Sequence, residues 1–320
     1  MTKNMNKAIA LVTVGALSFA MMARTAVVAA NNVSGYEKFK KSFFQMMEID
    51  NGTTNTDIKL VLDGELVLAS QTAEMKIEGA KHSIIGELDF FGEKQKMESY
   101  TNGKTSYNYD PMKNVYNSYQ IISSNAHEPM TETQYKLVNA MTDVAVGDVK
   151  NHFVQNENQI EFSLNENQVP EVVQLILAVM YEQSSEFADM RRGEYGVTIR
   201  SQMHDTMKES GVTDEEYAKT EKQLNSIMEV FENNLENFND PYVSSVYATA
   251  TLDENEIFEK LSGSVTLVGK DEGGVTHKLE VFVDVVITDI GTTTVDAFDT
   301  TGKEIIDNSN AIIYEYEYSN

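Results

Sequence analysis

The chain has no cysteine anywhere in its 320 residues. That removes disulfides, thiolate metal sites, a cysteine nucleophile and a lipid-modified cysteine from consideration. Without covalent staples an exported chain must rest on its hydrophobic core. At this length, with 41% hydrophobic residues, it can bury one. Positive charge is also scarce: 25 Lys and Arg stand against 50 Asp and Glu, a formal net charge of −25. Such a chain is repelled by nucleic acid and by anionic lipid surfaces. No nucleic-acid partner is expected, whereas cations or a basic protein partner are favoured.

Catalytic signatures are missing as well. Gly-x-Ser-x-Gly, a P-loop and GxGxxG do not occur. His82, His127, His152, His204 and His277 fall in five different expected elements, with no HExxH or His-x-His spacing. Leu261-Ser262-Gly263-Ser264 lies at a strand start and is discounted as a nucleophile site. No spacing singles out two carboxylates as an acid/base pair. The chain therefore reads as non-enzymatic, with no cofactor and no assigned metal. The loops Asp296…Asp299 and Asp271-Glu272 offer oxygen ligands for calcium but lack the EF-hand ladder.

What is present begins with M-T-K-N-M-N-K, a fifteen-residue apolar run, and small residues at Val28, Ala29 and Ala30. This is the pattern of a secretory signal peptide over residues 1–30, cleaved after Ala30, with Ala20 or Ala23 as alternatives. An uncleaved anchor is the other reading. The run is short for a spanning helix and Arg24 interrupts it. Cleavage removes Lys3, Lys7 and Arg24 and no acidic residue, moving the charge from −25 to −28. The expected location is secreted or extracytoplasmic, in a bacterial cell envelope.

The remainder, 31–320, reads as one α+β domain. Ser34-Gly35-Tyr36-Glu37 has capping-box spacing. Tyr36, Phe39, Phe43, Phe44 and Met47 follow on one helical face, which Asn51-Gly52 ends. From 55 to 122 the period switches to two. Asp63-Gly64, Gly79, Gly92 and Asn102-Gly103 punctuate short strands into an antiparallel meander. A helical middle spans 131–240. It contains helical spacing over 131–153, with Tyr135, Leu137, Val138, Met141 and Val144 before Gly147, an expected strand at 160–164, and a helix opened by Pro170. That helix is apolar nearly all round over 172–181. A long amphipathic helix then runs from Thr213 to Asp240-Pro241. A C-terminal β-region covers 243–318, with Val275, His277, Leu279, Val281, Val283, Val285 and Ile287 on one face of a long strand. At its end Tyr314, Tyr316 and Tyr318 alternate with Glu315 and Glu317. Whether the two β-regions share one sheet is open.

Five tyrosines, Tyr100, Tyr107, Tyr109, Tyr116 and Tyr119, surround T-N-G-K-T-S-Y-N-Y-D-P at 101–111. A two-residue turn at Asn102-Gly103 pairs Tyr100 with Thr105, Glu98 with Tyr107 and Lys96 with Tyr109. Tyr100, Tyr107 and Tyr109 then share one face with Glu98 and Lys96.

A helix followed by a meander carrying Asn102-Gly103-Lys104-Thr105, Tyr107, Tyr109 and Asp110-Pro111 resembles the LolA-like superfamily of exported lipid and lipoprotein carriers. The resemblance covers residues 34–125, about a third of the chain. It implies a curved antiparallel β-sheet (half-barrel) with helices packed on its concave side, where acyl chains are held. Relatives of that fold carry lipoproteins, sense envelope stress or bind surface glycolipids. The carrier's groove arginine has no counterpart, because the four arginines, Arg24, Arg191, Arg192 and Arg200, all lie outside the matching strands. The candidate ligand-binding residues are Tyr100, Tyr107, Tyr109, Leu88 and Phe90 from the sheet, with Leu175 and Val179 from the apolar helix. The expected ligand is a lipid or other hydrophobic small molecule. The alternative is a cell-surface structural or interaction protein with a filled core.

Overall fold

The computed structural model describes residues 34–90, 92–111, 113–121, 147–171, 239–271 and 273–313, with Lys136, Gln174, Thr213 and Ala218. Helix α1 (Ser34–Met47) precedes six strands: β1 (Asn51–Leu62), β2 (Leu66–Glu78), β3 (Lys81–Phe90), β4 (Glu93–Asn102), β5 (Thr105–Asp110) and β6 (Val115–Ile121). A 3₁₀ segment (Gly147–His152) leads into β7 (Phe153–Asn156) and β8 (Gln159–Asn165). Then come β9 (Asn239–Leu252), β10 (Phe258–Lys270), β11 (Thr276–Thr288) and β12 (Ile305–Ile313).

The strands form one open twelve-stranded sheet in the order β12-β6-β5-β4-β3-β2-β1-β11-β10-β9-β8-β7. The two β-regions are therefore continuous. They join where β1 runs antiparallel to β11, from Thr53 opposite Thr288 to Leu62 opposite Leu279. Tight turns make the meander. Asp63 and Gly64 both have positive φ, 54° and 76°, the backbone of a primed hairpin turn. Every pairing is antiparallel except β12 with β6. A parallel pair needs a crossover, and residues 289–304 provide it.

The core lies on one face of the C-terminal half. Leu267, Leu279, Val243, Ile160, Phe162 and Val265 are buried there with Leu60 and Leu68. Helix α1 covers the far end of that half. Tyr36 meets Phe153 edge-on at 5.4 Å, and Phe39 lies 5.1 Å from Phe258. Lys38 and Lys41 reach Glu256 at 3.3 and 2.6 Å. Burial of this kind contributes about 25 cal/mol per Å² of apolar surface.

Some boundaries differ from those the sequence suggests. The helix stops at Met47, and Asn51 opens β1 instead of ending a helix. Helical spacing was expected through residue 153, but Phe153 starts a strand, held between Tyr36 and Phe162. The expected strand at 160–164 is β8. Helices packed on a concave side are not supported; α1, the one α-helix whose packing the described residues record, meets β7, β8 and β10. The helices expected at 172–181 and from Thr213 to Asp240-Pro241, with Leu175 and Val179, lie outside the described residues apart from Gln174, Thr213, Ala218 and the start of β9, as do residues 1–30 and 314–318. Among the described residues no helix is long and apolar enough to cross a membrane.

Candidate functional site

The tyrosine hairpin is wider than a two-residue turn. Tyr100 pairs with Tyr107, Thr101 with Ser106 and Ser99 with Asn108. The cause is the Asn102 side chain, whose oxygen accepts from the amides of Lys104 (3.0 Å) and Thr105 (2.9 Å), while Gly103 takes φ 84°. The register moves by two residues, so the face assignment survives. Tyr100, Tyr107 and Tyr109 share a face, and Tyr116 of β6, opposite Tyr109, joins them.

That face is covered by the chain's own crossover. At its start, the Asn51 side chain donates to the Thr293 carbonyl (3.0 Å) and accepts from the Thr293 amide (2.9 Å). Thr53 and Thr293 hydroxyls meet at 2.9 Å. Further on, Asp296 pairs with Lys76 at 2.9 Å. Phe298 then stacks on Tyr107 (4.3 Å, 22°) and touches Tyr116 (4.8 Å) and Tyr100 (5.2 Å). The Lys303 ammonium sits 4.3 Å from the Phe298 ring centre, 4.7 Å from Tyr116 and 5.6 Å from Tyr100.

Glu98 is the anion of this cluster. Its side chain is 9% exposed, it pairs with Lys96 at 2.7 Å, and it accepts the Tyr116 hydroxyl. Burial pulls its carboxyl upward, but the Lys96 ammonium and the Tyr116 hydroxyl outweigh this and hold it below the ordinary range. Burial and then Glu98 push the Tyr116 hydroxyl far up, so it remains a donor.

Leu88 and Phe90 point the other way. Leu88 is opposite Gln95 and Phe90 opposite Glu93, while Tyr100 is opposite Ser83. Alternation therefore places Leu88 and Phe90 on the reverse face of the sheet. The five candidates from the sheet thus divide between two surfaces. On the reverse face Ile58, Met75, Ile77, Ile84, Leu88 and Met97 are half-buried and extend the apolar surface across β1–β4, beyond the fully buried core. Gly86 lies among them: a Cβ there would stand 2.3 Å from the Thr72 carbonyl oxygen and 2.9 Å from the Ala73 Cα.

A third cluster lies where the two halves meet. His277 Nδ1 is 2.9 Å from Asp63 in the β1–β2 turn, and Nε2 is 3.6 Å from Asp271. The Asp63 carboxylate also accepts the Lys278 amide at 2.8 Å. The Asp63 hydrogen bond raises the imidazole above its usual value, against opposing burial. The loop carboxylates considered for calcium have other partners: Asp296 holds Lys76 and Asp299 accepts the Thr301 amide. Among the described residues no three His, Asp or Glu side chains converge to hold a metal.

Phe298 and Lys303 carry no signal in the sequence, and Tyr116 stands there only as one of the five tyrosines around the hairpin. A lone phenylalanine in T-T-T-V-D-A-F-D carries no periodic signal, and its partners are nearly 200 residues away in the chain.

No family model matches the chain, and no curated protein matches it. Among solved structures, a DUF1329 family protein from Desulfovibrio piger aligns over 85% of this chain and 97% of its own. The identity is 9% and the TM-score 0.21. The bifunctional dehydratase-cyclase domain of ambruticin biosynthesis aligns over 86% and 89%, at 9% identity and TM-score 0.13. Likenesses this weak assign neither fold nor activity.

Proposed function

We propose that this protein is exported behind a cleaved signal peptide and is a non-enzymatic carrier or sensor of a lipid or other hydrophobic ligand. On this reading the sheet is the curved half-barrel of the LolA-like resemblance, and the ligand lies on the reverse face. The observation that carries the reading is the half-buried apolar surface of Ile58, Met75, Ile77, Ile84, Leu88 and Met97, spread over four strands. Ligand sites are concave and mostly apolar, with few polar groups, and the flexible methionines suit variable chains. The 172–181 segment, apolar nearly all round, is the cover this reading assigns to that surface.

The test is uptake of a fluorescent fatty-acid probe by the delipidated protein, with mass spectrometry of material extracted from the untreated protein. Leu88→Glu and Ile84→Glu should abolish uptake while Tyr107→Phe leaves it unchanged. A lipid-free, probe-negative protein would overturn the proposal.

A second reading is a cell-surface interaction protein whose acidic surface meets a basic partner. It is favoured by the tyrosine face, which the crossover already fills.

A further inference from the structure

Tyr100, Tyr116 and Phe298 surround one position, and the Lys303 ammonium occupies it at 4.3 to 5.6 Å from the three ring centres. Lys303 makes no ion pair among the described residues. Two carboxylates feel its charge: Glu98, already bound to Lys96 and Tyr116, and Asp299, which accepts the Thr301 amide. The position is thus an aromatic cage with a buried anion beside it, filled by a cation that fits it poorly. A primary ammonium carries three N–H donors and is strongly hydrated, and ring faces satisfy none of those donors. A methylated ammonium has no donor to lose, is weakly hydrated, and gains the same attraction from the ring quadrupoles.

The cage is also built to survive exchange of its occupant. Phe298 is held by Tyr107 behind it, not by Lys303. The backbone around Lys303 is fixed by its amide, which donates to the Thr300 carbonyl (3.2 Å), and by the next residue, where the Glu304 carbonyl accepts the Tyr116 amide (2.9 Å). The lysine stem can swing to water without moving either bond. The strongly acidic chain raises the local concentration of cations.

We propose that Tyr100, Tyr116 and Phe298, backed by Glu98, form a site for a quaternary ammonium group, with Lys303 as its resident competitor. The site lies on the opposite face from the apolar surface and does not depend on hydrophobic ligand binding.

The experiment is isothermal titration of the full chain with choline chloride, and separately with 3,3-dimethylbutanol, its uncharged isostere. Vesicles of phosphatidylcholine provide a third arm. Lys303→Ala should bind choline about tenfold more tightly than the wild type, and about tenfold more tightly than the isostere. Lys303→Gln should behave like Lys303→Ala, and Phe298→Leu in the Lys303→Ala background should lose the gain. Vesicle binding that rises with the same substitution identifies the group as a lipid head group; choline binding without vesicle binding identifies a free solute. Equal choline affinity with and without Lys303, equal affinity for the isostere, or no choline binding by either variant would overturn the proposal.

Discussion

Truncating Phe298 to alanine should release the crossover from the sheet. The ring makes three aromatic contacts, at 4.3, 4.8 and 5.2 Å, and supports the Lys303 ammonium at 4.3 Å. Aromatic pairs contribute about 0.5–1.5 kcal/mol each beyond their buried area, and a fully buried Phe→Ala costs about 3–5 kcal/mol. Phe298 is only half-buried, which places the expected loss at about 2–3 kcal/mol. For a chain this long the melting temperature should fall by about 5 °C. Amide exchange offers the sharper reading. Protection should drop across 292–304 and in β12 while β8–β11 keep theirs, since only the strap loses its anchor. Phe298→Leu should lose about half as much. Asp296→Ala, which breaks an exposed ion pair with Lys76, should cost less than about 1 kcal/mol. If Phe298→Ala costs under about 0.5 kcal/mol and exchange in 292–304 is unchanged, the crossover does not depend on the tyrosine cluster.

Other consequences are independent of that anchor. The folded chain holds a proton on His277 more tightly than the ordinary value of 6.5, because Asp63 accepts from the ring. Its contribution is therefore complete below pH 6.5 and fades as pH rises through the higher folded value. Wild-type stability relative to His277→Gln should decline from pH 6 to pH 8 in chemical denaturation. The difference should stay below about 1 kcal/mol and shrink in high salt, since the pair is substantially exposed. Asp63 has the opposite sign: it is held below its ordinary 3.8 despite burial, so its contribution is lost as acid titrates it. Gly86→Ala should destabilise by about 2–3 kcal/mol in the same assay. The new Cβ meets backbone atoms of β2, which cannot turn away as a side chain could.

The meander was legible because its strands alternate with period two and its turns carry Asn, Asp and Gly. The hairpin register differs by two residues from that of a two-residue turn because the Asn102 side chain, not the backbone alone, closes the turn. The facing of Leu88 and Phe90 is set by the β3–β4 turn. A turn pairing Phe90 with Glu93 puts Leu88 opposite Gln95, and therefore away from Tyr100. The union of the β-regions through β1 and β11 was not legible. Both strands carry apolar alternation, yet alternation names a face and not a partner. Phe298, Lys303 and the His277–Asp63 pair share that cause, since each joins segments about 190 to 214 residues apart.

The central claim is that a hydrophobic ligand belongs to the reverse face while the tyrosine face is closed by the chain itself. The direct measurement is fatty-acid probe affinity in three proteins: wild type, Leu88→Glu and Phe298→Ala. The account predicts uptake in the wild type, loss of at least about tenfold in Leu88→Glu, and little change in Phe298→Ala. Uptake that survives Leu88→Glu but follows the state of Phe298 would contradict it.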